Sequence, residues 1–115
     1  MKTKQLFKSF FVLSFIALFS LLNTQPALAH CDSYDGPALT DAAKALETNN
    51  VELIKKWILA EDEAIVVPLF HKAYSLKDGD AEIYEIVKTY FYETFVRLHR
   101  EMEGATYTGL KAAGT

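Results

Sequence analysis

From residue 30 onward, apolar residues recur at intervals of three and four and never alternate cleanly, so the pattern predicts helices and no strands. Asp35-Gly36-Pro37 reads as a helix start, with Asp35 as a cap and Pro37 at an early position where its missing N–H does no harm. Leu39, Ala42, Ala43 and Leu46 fall on one face of this first helix, and Thr48-Asn49-Asn50 ends it. Asn50 caps a short second helix in which Val51, Ile54, Trp57 and Ile58 share a face. A third helix is predicted over residues 61–75, with Ile65, Val66, Leu69, Phe70 and Ala73 as its stripe. Pro68 inside it should kink it or delay its start. Lys77-Asp78-Gly79-Asp80 is a turn, with Gly79 available for positive φ. The fourth helix, residues 80–103, is the longest. Ile83, Val87, Tyr90, Phe91, Thr94 and Leu98 form its core face, widened by Phe95 and Met102. Gly104 stops it, and residues 105–115 read as an irregular tail. The expected fold is all-α, a small bundle of about four helices in one domain.

The hydrophobic pattern is different before residue 30. Lys2, Lys4 and Lys8 precede an apolar run over residues 10–22 that is broken only by Ser14 and Ser20. Pro26 and Ala27-Leu28-Ala29 follow, which completes the layout of a Sec-type signal peptide cut after Ala29. An uncleaved anchor is the competing reading, but a membrane span needs about 20 apolar residues and this run is shorter. The expected division is therefore a signal peptide at 1–29 and a helical domain at 30–115. The domain would be exported to the periplasm or the extracellular space, beginning at His30 and no longer embedded in a membrane.

Charge follows the same boundary. The 115-residue chain has 12 Lys+Arg and 15 Asp+Glu. The leader takes three lysines and no acid, so the formal charge moves from −3 to −6 on its removal. An acidic domain without a basic face disfavours nucleic-acid binding. A single cysteine excludes a disulfide within the chain.

The export boundary puts His30-Cys31-Asp32 at a new N-terminus. There an α-amine, an imidazole, a thiolate and nearby amides can converge on one metal ion. Soft sulfur with borderline nitrogen favours nickel, copper or zinc. Asp32 and Asp35 can add oxygen ligands, and His99 can complete the shell. The plainer alternative makes His30 and Cys31 ordinary terminal residues. At 100° per residue, His99 lies beside Tyr92, Phe95, Met102 and Glu103, and Glu93 is about 120° away, grouped with Arg97 and Arg100. His99 and Glu93 should therefore not share a site, whereas His99 and Glu103 can pair as ligands or through a hydrogen bond. Glu93–Arg97 and Arg97–Glu101 have the spacing of helical ion pairs, and His71 reads as a surface residue. No Gly-rich phosphate loop or Gly-x-Ser-x-Gly elbow is present, and nothing marks a particular enzymatic reaction.

His30-Cys31-Asp32-Ser33-Tyr34-Asp35-Gly36-Pro37 resembles the His-Cys-Asp-x-x-Asp-Gly-Pro opening of a bacterial family of small proteins of unknown function. Tyr90-Phe91-Tyr92-Glu93-Thr94-Phe95-Val96-Arg97-Leu98-His99-Arg100, then Glu103-Gly104-Ala105-Thr106-Tyr107-Thr108-Gly109-Leu110-Lys111, is similar to the C-terminal signature of that family. The resemblance implies no activity. It marks His30, Cys31, Asp32, Asp35, Glu93, Arg97, His99 and Arg100 as positions of the family pattern. A fainter likeness is to nickel superoxide dismutase, whose mature chain also starts His-Cys-Asp and holds its metal with the α-amine, the first histidine and two cysteines. Asp35 stands here where the second cysteine would be.

Three functions are then in view. The first is an exported helical protein that binds a transition metal through its N-terminus. The second is a non-catalytic interaction module, as a homo-oligomer or with a protein partner. It would use the fourth helix, where Tyr92 and Val96 lie away from the main stripe. The third is a metalloenzyme of the superoxide-dismutase kind.

Overall fold

The computed structural model describes residues 32–114. Its α-helices are α1 (Pro37–Thr48), α2 (Glu52–Lys55), α3 (Glu63–Ser75) and α4 (Ala81–Met102), with a 3-10 turn over Ala60–Asp62 before α3. The all-α expectation holds over these residues. The predicted leader, His30 and Cys31 lie outside them. No helix among the described residues is long and apolar enough to cross a membrane.

Helix boundaries follow local chemistry. Pro37 opens α1, but the residue before it is Gly36 in extended conformation, and no side chain caps that end. Asp35 is therefore not the cap that its position suggested. The helix closes at Asn49, whose φ of 51° is one that asparagine tolerates better than most side chains. The N-cap residue of α2 is Val51 and not Asn50, although Asn50 Oδ1, one position earlier, accepts from Glu52 N–H at 3.2 Å. Asp80 Oδ1 accepts from the Glu82 and Ile83 amides, both at 3.0 Å, and so caps α4. Gly79 keeps a negative-φ turn, and positive φ is used instead at Gly104, Gly109 and Gly114. α3 starts two residues later than predicted because the 3-10 turn takes its first positions, and it carries Pro68 inside.

The core joins α1, α2, α3 and α4 around three fully buried phenylalanines. The Phe70 and Phe91 rings meet edge-on at 5.8 Å, and Phe91 stacks with Phe95 at 6.1 Å. Leu39, Leu46, Ile54, Val66 and Val96 fill the space around them. Each such side chain contributes about 1.5–3 kcal/mol by leaving water. The faces shift from the sequence pattern in three places. Ala43 is exposed and Ala45 is buried in its place. Ile65 on α3 is exposed. On α4, Ile83, Ile86 and Tyr90 stay more than half exposed, whereas Tyr92 and Val96 are buried. The C-terminal half of α4 is thus covered on two sides. Tyr34 of the N-terminal segment packs on Tyr92 with ring centroids 6.1 Å apart.

Candidate functional site

The segment before α1 and the tail after α4 meet over that doubly covered half of α4. A tight turn, with Gly36 N–H donating to Ser33 carbonyl at 3.0 Å, sets the direction of the first segment. Gly104, at φ 73°, lets the chain reverse off α4, and the partly buried Tyr107 and Leu110 hold the tail against the core. The two strips then join in a single parallel bridge between Ser33 and Lys111. Lys111 N–H donates to Asp32 carbonyl at 2.7 Å, and Tyr34 N–H donates to Lys111 carbonyl at 3.1 Å. Gly114 N–H donates to Asp35 Oδ2 at 2.9 Å. Asp35 therefore serves the clasp between the two ends and not the helix start.

Beneath this clasp lie buried polar groups. Asp32 is 1% exposed, His99 3% and Arg100 9%. Arg100 Nε is 3.5 Å from Asp32 Oδ1, and its Nη2 donates to Thr106 carbonyl at 3.3 Å, so one guanidinium faces both strips. Burial pushes the Asp32 carboxyl above the ordinary aspartate range. Arg100, then Lys111 and His99, pull it back, and Glu103 adds to the rise. Burial likewise raises the Tyr107 phenol, and the Glu93 and Asp32 carboxylates push in the same direction. Asp32, His99, Glu103, Arg100 and Lys111 thus form one electrostatic neighbourhood.

His99 is held from two directions. Its Nδ1 lies 2.6 Å from the Trp57 carbonyl oxygen, and the Trp57 ring meets it edge-on at 5.3 Å. Its Nε2 faces Glu103 Oε1 one turn further along α4. Trp57 is itself fixed by its indole N–H, which donates to Asp41 Oδ2 at 2.9 Å, and Lys56 reaches the same oxygen at 3.0 Å. The indole, followed by Lys56, holds Asp41 below the usual carboxylate range.

Of the residues singled out from sequence, Asp32 and His99 are brought together under the clasp, Asp35 lies at its outer edge, and His30 and Cys31 are outside the described residues. Glu93 and Arg97 are exposed, and Arg97 bonds Glu101 at 3.1 Å. His71 is exposed and touches Phe70. Among the described residues, no group of three or more His, Cys, Asp or Glu side chains is arranged to hold a metal ion. Trp57, Tyr107 and Lys111 were not legible as site residues. The signal for the last two was the tail itself, where Tyr107 and Lys111 sit among Gly104, Gly109 and Gly114.

No curated protein and no solved structure matches the chain. A family match covers residues 35–115 and leaves His30, Cys31 and Asp32 outside it. The tail, α4 and the outer edge of the clasp all fall within that match, and the chain belongs to the family of unknown function DUF6448.

Proposed function

We propose that this is an exported helical protein that binds a transition-metal ion through its His30-Cys31 segment, with His99 or an aspartate completing the shell. The observation that carries the reading is the anchoring of Asp32, the residue next to Cys31. It is buried beside Arg100 and bonded through its carbonyl to Lys111, in the neighbourhood of His99. A chain end rooted in this way loses little further entropy when its donors close on an ion. Thiolate and imidazole donors favour nickel, copper or zinc. Asp32 and Asp35, engaged with Arg100 and with the Gly114 amide, then act as anchors of the segment. The test is elemental analysis of protein matured by leader cleavage in a host cell, with N-terminal sequencing to check for a start at His30. Metal at about one equivalent that is lost in Cys31→Ser is expected. Metal-free protein that Cys31→Ser leaves unchanged would sink the reading. Superoxide decay assayed on the nickel-loaded protein decides the dismutase alternative.

A second reading, a non-catalytic interaction module, is favoured by Ile83, Ile86 and Tyr90, which line one face of α4 and are 51%, 64% and 58% exposed. Sedimentation of the mature protein and of an Ile86→Lys variant tests it. A monodisperse monomer in both cases counts against self-association.

A further inference from the structure

Ile83, Ile86, Tyr90, Glu93 and Arg97 follow one another along α4 at alternating spacings of three and four, the interval of a coiled-coil seam. All five are exposed. Phe91 and Phe95 point the opposite way, into the core, so the seam is a second face of the same helix. Its first three positions are apolar, and its last two carry opposite charges. A cover for this face must bury the isoleucines and the tyrosine and must also answer an acid and a base further along.

A second copy of α4 does both when it runs the opposite way. In a parallel pair in register, Glu93 lies on Glu93 and Arg97 on Arg97, like charge on like charge. The antiparallel pair sets Ile86 against Tyr90 of the second copy, twice, about a two-fold axis level with Lys88. Arg97 then comes level with Gly79 of the second copy, whose neighbours are Asp78 and Asp80. Asp78 and Gly79 are exposed, and Gly79 has no side chain to stand in the way. Glu93 comes level with Ile83, in the first turn of the opposing helix, where the dipole is positive. The bond that Arg97 makes to Glu101 within its own chain joins two exposed side chains, so it is weak enough to be exchanged.

We propose that two copies of this chain pair antiparallel through the α4 seam, with Ile86 and Tyr90 at the centre and Arg97 set in the acidic turn of the other copy. This rests on the interaction-module reading given under Proposed function and names its partner.

The experiment is sedimentation of the matured chain over a range of concentrations, with a reductant present so that Cys31 makes no link between chains. Arg97→Glu is the deciding variant. It should weaken the dimer about tenfold or more, and the double variant Arg97→Glu with Asp78→Arg should recover most of that loss. Glu101→Ala removes the same bond within the chain and should leave the dimer as strong as wild type. Far-ultraviolet circular dichroism should be unchanged throughout, because Asp78, Arg97 and Glu101 are exposed. In a parallel pair, Arg97→Glu replaces one pair of like charges with another. A dimer of wild-type strength in Arg97→Glu that Ile86→Lys nevertheless dissociates would therefore overturn the antiparallel arrangement and leave the interaction reading standing. A wild type that stays monomeric at every concentration would overturn pairing of copies altogether and leave that reading only a different protein as partner.

Discussion

The Nδ1 atom of His99 lies 2.6 Å from the main-chain carbonyl of Trp57, 42 positions earlier in the chain. This contact fixes the ring that faces Glu103, and it ties the end of α4 to the turn after α2. Replacing His99 with alanine leaves that carbonyl without a donor and opens a cavity beside Trp57. A loss of about 2–4 kcal/mol is expected from these two costs together, read as a lower urea midpoint. An unchanged midpoint would show that the contact anchors nothing.

Arg100 offsets the burial of Asp32 and bonds the tail at Thr106. Arg100→Met should cost roughly 3–5 kcal/mol, because it removes the largest of the charges that offset the burial of the Asp32 carboxylate. Pairing it with Asp32→Leu should recover part of that loss, giving a coupling energy above about 1 kcal/mol in a double-mutant cycle. Strict additivity would mean that the two groups do not act on each other.

The clasp depends on the Lys111 main chain more than on its side chain. Lys111→Pro removes the N–H that donates to Asp32 carbonyl, and Lys111→Ala keeps it. Hydrogen exchange at the Tyr34 amide should speed up about tenfold or more in the proline variant, which corresponds to about 1.4 kcal/mol, and should stay slow in the alanine variant. Exchange at Phe95, deep in α4, should be unaffected in both.

Burial raises the Tyr92 phenol to about 12 from an ordinary value of 10.0, with smaller contributions from Tyr84, Tyr34 and Glu85. The folded state therefore holds this proton more tightly than the unfolded chain does. Below about pH 10 both states are protonated and the shift has no effect. Between the two values the unfolded chain ionises first, so stability falls as pH rises, by up to about 1.4 kcal/mol per pH unit. Thermal unfolding at a series of alkaline pH values should show this loss in the wild type and less of it in Tyr92→Phe. Equal losses in both would place the alkaline transition elsewhere.

Much of the local architecture could be read directly from the chain. Asp80, Pro37 and Gly104 mark helix ends because capping acts over two to four residues, which a local pattern contains. The buried face of α4 was less legible. Ile83 and Tyr90 belong to its apolar stripe yet remain exposed, while Tyr92, off that stripe, is covered by Tyr34. A helical pattern shows which side chains can be buried, and the placement of neighbouring segments selects among them. Asp35 was misread for a related reason. Its place before Gly36-Pro37 suited a cap, but its carboxylate is taken by Gly114, 79 positions away.

The sequence by itself determined that residues 37–102 form helices with short turns, because i to i+4 bonds and their caps are local. It also shows a lysine-flanked apolar run over residues 10–22 ahead of an acidic remainder, and it puts the single cysteine, Cys31, beside His30. Only the tertiary structure decided that the tail returns to the first segment and that Arg100 bridges Asp32 and Thr106. The same holds for His99, which is set between Trp57 and Glu103. These contacts join positions far apart in the chain, and a residue's type does not specify a distant partner. That partner is fixed when the core closes and brings the two ends of the domain over the same turns of α4.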